Sequence, residues 1–220
     1  MVSSPTLRWS SNHQAGQGHG LYVDPSDHYH VFFTTNDGGL LVTSDGGRSW
    51  QDGGINGFVA RASRAVAFDP QEPRRVYASS VAGGLFRSGD HGNHWQRRRF
   101  GTNTNYTTGI SVDPVDHSVY VATLENLGIP GNGIWKSTDF GETFIRIDRA
   151  PQAPPGRFLN LSGRGITVDP NQHRTVYFAD RFTGIWRSRN AGASWSNVDE
   201  RGVLSITVDP TDSSIVYAAA

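Results

Sequence analysis

A short motif occurs four times in this chain: Ser or Thr, then Asp or Asn two residues on, Gly two further, and Trp or Phe three beyond that. Its copies are Thr43-Asp45-Gly47-Trp50, Ser88-Asp90-Gly92-Trp95, Ser137-Asp139-Gly141-Phe144 and Ser188-Asn190-Gly192-Trp195. A second marker, Asp-Pro after an apolar residue, alternates with this box at Val23-Asp24-Pro25, Phe68-Asp69-Pro70, Val112-Asp113-Pro114, Val168-Asp169-Pro170 and Val208-Asp209-Pro210. Two markers in one fixed order mean a single structural unit copied along the chain. From each Asp-Pro aspartate to the next box Asp or Asn the steps are 21, 21, 26 and 21 residues; from each box to the next Asp-Pro they are 24, 23, 30 and 19. The third unit therefore carries extra residues on both sides of its box.

Inside each unit the pattern is that of short strands between turns, with no run of helical period. In the second unit Arg64-Ala65-Val66-Ala67-Phe68 reads as a first strand, and Asp69-Pro70 opens a turn, because Pro presets φ and Asp accepts nearby N–H groups. Arg75 to Ser79, Gly84 to Ser88 and His94 to Arg97 supply three more strands, with the box as the hairpin between the last two. Four antiparallel strands per unit predict a β-propeller blade. The fold class is all-β, with blades at about 18–55, 62–99, 106–148 and 162–199, a partial blade over 202–220 and an N-terminal strand over 5–11. The box residues Asp45, Asp90, Asp139 and Asn190 have structural reasons to be there: they bond backbone N–H groups in the hairpin while the aromatic buries between blades.

Charge and composition exclude several function classes. With 20 basic and 20 acidic residues the net charge is +0, so no whole-chain field favours nucleic acid, and no apolar run approaches a membrane span. Cys 0 removes disulfides and thiolate chemistry. No signal peptide is visible after Met1. The histidines, including His28, His30, His91 and His94, are scattered over the turn face and read as solvated, so no metal and no cofactor is expected.

The boxes resemble the Asp-box (BNR) repeats of sialidases, sortilin-type receptors and glycoside hydrolase family 74. The wider unit, with Val76-Tyr77-Ala78, Val119-Tyr120-Val121-Ala122, Val176-Tyr177-Phe178-Ala179 and Val216-Tyr217-Ala218 followed by Gly, Leu or Ile, an aromatic and a basic residue before the box, most resembles the family 74 type, the xyloglucan- and oligoxyloglucan-cleaving enzymes. Nearly the whole chain follows this pattern. By its spacing a fifth box would fall near position 230, so the expectation is a single domain that is a piece of a propeller of about seven blades, which at ~45 residues each needs roughly 315. Open blade edges in such a piece would favour association with another copy.

Topology puts the Asp-Pro turns and the boxes on one face. The opposite rim carries both insertions, Leu124 to Gly131 and Asp148 to Leu161, and elongated loops on one rim are where binding is expected. Tyr106, Phe158 and Phe182 could stack on sugar rings there, and Asn36, Arg157 and Arg181 could bond hydroxyls; these aromatics could equally pack the loops down. Glycoside hydrolysis needs two carboxyl groups, and the rim offers Asp37, Glu125 and Asp180. The resemblance implies a catalytic aspartate in a Thr-Asp-x-Gly-Gly segment. Here the stretch is Thr35-Asn36-Asp37-Gly38-Gly39, with Asn36 in the aspartate's place and Asp37 shifted by one residue. Asp37 is thus a catalytic candidate or a turn former. Asp180 is a substrate or catalytic contact or the ion-pair partner of Arg181 or Arg157, and Glu125 is the third acid.

The second catalytic acid that the resemblance implies belongs to a separate propeller, so this segment alone is expected to be inactive. Two functions remain: a carbohydrate-active propeller acting on β-1,4-glucans such as xyloglucan, or a non-catalytic propeller that binds protein or glycan at the cell surface. Either places the protein outside the cell or at its surface.

Overall fold

In a computed structural model, residues 18–54, 56–101, 106–123, 133–147, 150–151 and 165–219 are described. They form four four-stranded antiparallel sheets and one two-stranded sheet. The first blade is β1 (Gly18–Asp24), β2 (Asp27–Thr35), β3 (Leu40–Thr43) and β4 (Gln51–Asp52), and the second is β5 (Ala62–Phe68), β6 (Val76–Val81), β7 (Gly84–Ser88) and β8 (Gln96–Arg98). The third comprises β9 (Thr107–Val112), β10 (Val119–Thr123), β11 (Gly133–Ser137) and β12 (Ile145–Arg146); the fourth comprises β13 (Ile166–Val168), β14 (Val176–Asp180), β15 (Gly184–Ser188) and β16 (Ser196–Asp199). β17 (Ser205–Val208) and β18 (Val216–Ala219) form the two-stranded sheet. The order within each blade is sequential, and the first strands carry the contacts from blade to blade: β5 packs on β9, β9 on β13 and β13 on β17. No helix among the described residues is long and apolar enough to cross a membrane. The expected N-terminal strand over 5–11 lies outside the described residues.

The apolar clusters lie between blades, not within them. Val76 and Ala78 of β6 join Phe32, Phe58 and Trp95 in the cluster shared with the first blade, whereas Tyr77, between them in sequence, joins Val112, Val119 and Trp135 of the third. The same split recurs on β10, where Val119 and Val121 face back and Tyr120 and Ala122 face forward, and on β14, where Val176 and Phe178 face back and Tyr177 and Ala179 forward. Side chains alternate faces along a strand, so a middle strand buried on both faces must be apolar throughout. This explains the Val-Tyr-x-Ala run. The forward tyrosines also bond across the interface, Tyr77 Oη donating to the Phe140 carbonyl at 2.9 Å and Tyr120 Oη to the Ala191 carbonyl at 3.2 Å. Tyr217, at the same register on β18, is 57% exposed, since no further described strand covers that face.

Each box is a closed hydrogen-bonded hairpin. The Ser88 hydroxyl donates to Asp90 Oδ1 and accepts from the Asp90 and Gly92 N–H groups, while Asp90 Oδ1 accepts from the His94 N–H. Thr43, Ser137 and Ser188 do the same with Asp45, Asp139 and Asn190. The box glycine has a second duty beyond its positive φ: a Cβ on Gly92 would collide with Cζ of Phe32, and one on Gly141 would lie 2.8 Å from Cε1 of Tyr77. The missing side chain is the space that the preceding blade's ring occupies.

These bonds hold the box carboxylates ionised. The Thr143 hydroxyl and N–H, then the Ser137 hydroxyl, bring Asp139 down to about 2 from the ordinary 3.8, and Ser49 and Thr43 lower Asp45 further. A folded-state value below the unfolded one contributes stability that is fully present above about pH 4 and lost as the pH falls through about 2. Asn190 shows that an amide completes a box, its Nδ2 donating to Ser194 Oγ at 2.9 Å. Asp139→Asn is therefore expected to fold at neutral pH and to lose less thermal stability than the parent between pH 4 and pH 2 in melting curves. An unchanged acid slope would place the acid sensitivity elsewhere.

The Asp-Pro aspartates do more than shape their own turns. Asp69 is fully buried; its Oδ1 accepts the Gln71 and Glu72 N–H groups, and its Oδ2 accepts Arg75 Nη1 at 2.7 Å and His117 Nδ1 of the next blade at 2.8 Å. Asp113 takes His173 and Asp169 takes Ser213 in the same way. Each of these donors stands four residues beyond the next blade's Asp-Pro aspartate, so the marker is an interblade clasp. In the first interface His91 fills this role from a box position, donating to Asp24. The clasps and boxes share one face, as His91 N–H donates to the Arg74 carbonyl and Ala191 N–H to that of Arg174.

Candidate functional site

The opposite rim is built by the hairpins between the second and third strands of each blade. In the first blade Thr35 closes its hairpin: its hydroxyl donates to the Gly39 carbonyl at 3.0 Å and accepts the Gly38 N–H. Ser63 Oγ of the second blade also donates to the Gly39 carbonyl, at 2.6 Å, and Gly39 N–H donates to the Arg61 carbonyl, so the hairpin is anchored to its neighbour. Asn36 is half-buried and its Oδ1 accepts His19 Nε2 at 2.9 Å. The buried Arg64 guanidinium abuts the same ring. Burial keeps His19 below its usual range, the Asn36 bond raises it and Arg64 lowers it further. Asp37 is exposed at the tip of this hairpin.

Asp180 occupies the equivalent place in the fourth blade, and there the side chain is fully buried. Its Oδ1 accepts the Phe182 and Thr183 N–H groups at 3.0 and 2.7 Å and the Thr183 hydroxyl at 2.8 Å, while Oδ2 is buried without a hydrogen-bond partner. Counting from the Val-Tyr run, Thr35, Ser80, Thr123 and Asp180 share one register, and the first three each close their blade through a hydroxyl. The expected Asp180–Arg181 ion pair is not formed: Arg181 lies over the Phe182 ring, 5.3 Å from its centroid, because Asp180 turns inward to its own hairpin. Phe182 is 37% exposed at the rim. Tyr106 stands immediately before β9 and packs against the cluster shared by the third and fourth blades. Glu125, Arg157 and Phe158 lie outside the described residues.

By topology Asn36, Asp37, Tyr106, Asp180, Arg181 and Phe182 lie toward one rim but on three different blades, with Asp37 and Asp180 on hairpins of the first and fourth. Sequence reasoning missed His19 and Arg64, which surround Asn36 and come from β1 and β5. It also misread His30 on the turn face, whereas His28, His91 and His94 are exposed as expected. His30, with a side chain only 14% exposed, and His91 both lie against the carboxylate of Asp24, because that buried acid draws donors from two blades. The available signal was the repeating Asp-Pro aspartate, whose partners recur at a fixed step in three interfaces.

No family model matches the chain. Among curated proteins it is similar to a xyloglucanase of a Paenibacillus species, 38% identical over 104 residues that make up 44% of this chain and 10% of that protein. A xyloglucanase of Acetivibrio thermocellus is 38% identical over 98 residues, 41% of this chain and 11% of the relative. The matches therefore span about a tenth of these relatives. Among solved structures, an ancestral enzyme of glycoside hydrolase family 74 superposes with a TM-score of 0.75 at 19% identity, over 93% of this chain and 27% of that one. The family 74 xyloglucanase of Xanthomonas campestris superposes at 0.68 and 20% identity, over 93% of this chain and 35% of the other. The chain is a β-propeller of the kind found in glycoside hydrolase family 74.

Proposed function

We propose that this propeller belongs to a carbohydrate-active protein acting on β-1,4-glucans such as xyloglucan, outside the cell or at its surface, and that the segment binds glycan without cleaving it. The observation that carries this reading is Asn36. At the place where the resemblance implies a catalytic aspartate stands an amide that accepts a hydrogen bond from His19. An amide cannot take up or deliver a proton in this role. Asp37 points to solvent and Asp180 is committed to its own turn, and neither arrangement supports a carboxyl pair flanking a scissile bond. What remains at the rim suits binding: the partly exposed Phe182 ring under Arg181 in the fourth blade, and the half-buried Asn36 amide in the first.

The test combines calorimetric titration of xyloglucan oligosaccharides with a reducing-end assay on polymeric xyloglucan. Binding without product is expected, and Phe182→Ala should weaken it about tenfold, as one stacked ring is worth about 1–2 kcal/mol. Product formation by the wild type that Asp37→Ala or Asp180→Ala abolishes would overturn the inactive reading. Absence of any glycan binding would favour a propeller that recognises protein.

A further inference from the structure

The first interblade clasp differs from the second in its donors. In the second blade the buried Asp69 carboxylate meets a guanidinium, Arg75, along with His117. At the register of Arg75 the first blade has His30. Asp24 Oδ2 accordingly faces two imidazoles, His30 Nδ1 and His91 Nδ1, each at 3.0 Å, and Oδ1 is engaged by the Ser26 N–H and hydroxyl. Among the described residues no Lys or Arg hydrogen-bonds or ion-pairs with Asp24, so this carboxylate, with 0% side-chain exposure, has no permanent counter-charge.

We propose that Asp24, His30 and His91 form a three-ligand site for a divalent transition-metal ion of the Zn2+ class, which clasps the first blade to the second. The three ligand atoms lie within 4.8 Å of one another. Two nitrogens and one carboxylate oxygen are a donor set that Zn2+ takes at about 2.0–2.2 Å, and the two nitrogen–oxygen separations of 3.0 Å fit around an ion at that distance. Each imidazole ligates through its Nδ1 lone pair and keeps its proton on Nε2, so the hydrogen bonds that hold the clasp give way to metal bonds on the same atoms. The ion supplies the positive charge that Arg75 supplies to Asp69. It also has room for a fourth ligand, because the cluster opens into a cavity of about 490 Å3 lined also by Asp27, Gln51 and Asn93. His91 reaches the site from a left-handed backbone position, φ 58°, where the corresponding residues of the later boxes are Phe140 and Ala191. Among the four boxes this position carries a metal-capable side chain only in the second, as His91; Asp113, Asp116 and His173 form a separate candidate group.

Zinc chloride titrated into the full chain, stripped beforehand with a chelator, should bind one ion per chain by calorimetry and raise the melting temperature. Imidazole NMR correlations of the same sample should show the His30 and His91 nitrogens shifting on titration. His91→Asn, which suits the left-handed backbone, should weaken the affinity at least tenfold while far-UV circular dichroism of the metal-free protein stays unchanged; His117→Ala, in the clasp that has its own arginine, should bind as the wild type does. The NMR readout stands even where a variant folds poorly. Absence of stoichiometric binding, wild-type affinity in His91→Asn, or shifts confined to other histidines would overturn the proposal. So would loss of the ion on His173→Ala, which would place it instead among Asp113, Asp116 and His173.

Discussion

Asp69→Ala is expected to lower the unfolding free energy by about 3–5 kcal/mol, the range for removing one partner of a buried ion pair. The change strips the partner from Arg75, whose side chain is 17% exposed, and from His117, and it orphans the Gln71 and Glu72 N–H groups of the turn. Asp69→Asn should retain part of this, since an amide oxygen still caps the turn although it cannot balance the guanidinium. Asp209→Ala is the internal control: Asp209 caps the Thr211 and Asp212 N–H groups but has no cation and no following blade against it among the described residues, so its loss should be much smaller. Denaturant midpoints at constant slope measure all three. Equal effects at Asp69 and Asp209 would mean that the aspartate acts as a local turn former alone.

Trp95→Ala should also lose about 3–5 kcal/mol, as for other buried aromatics truncated in a core. The ring is 5% exposed, packs edge-on against Phe32 and Phe58 with centroids 6.0 and 5.7 Å away, and donates from Nε1 to the Gly53 carbonyl at 3.1 Å. Trp50 occupies the same motif position in the first box, yet it is only half-buried and its ring contact is Phe33. A clearly smaller loss for Trp50→Ala would establish that the aromatic works through the interface it enters, and matching losses would locate its contribution within the box hairpin.

The legible part of this protein was the part governed by short-range chemistry. Strand alternation in Val76-Tyr77-Ala78 and the Ser88-Asp90-Gly92 hairpin depend on neighbours within a few residues, and they fold as their patterns imply. Partners distant in sequence were not legible. His91 lies 67 residues from Asp24 and His117 lies 48 from Asp69, and nothing local in either histidine distinguishes it from a solvated one. Asp180 misled for a different reason. It is an acid at a rim, but its register belongs to Thr35, Ser80 and Thr123, whose hydroxyls bond backbone carbonyls of their own blade, so the repeat already assigned that position to structure. The inserted segments that carry Glu125, Arg157 and Phe158 break the sequence repeat, and no internal copy exists against which to read them.

The division of each middle strand between two interfaces has a bearing on how such chains can be cut and rejoined. A blade excised at its sheet boundaries takes half of two cores and keeps neither whole, exposing Val76 on one side and Tyr77 on the other. A segment from the middle strand of one blade to the middle strand of the next keeps most of one core instead, leaving out Ala65 of β5 and Trp135 of β11 in the cluster around Tyr77. Grafts or permutations whose joints fall at the β6 and β10 hairpins should transfer more of one core's packing than those whose joints fall between sheets.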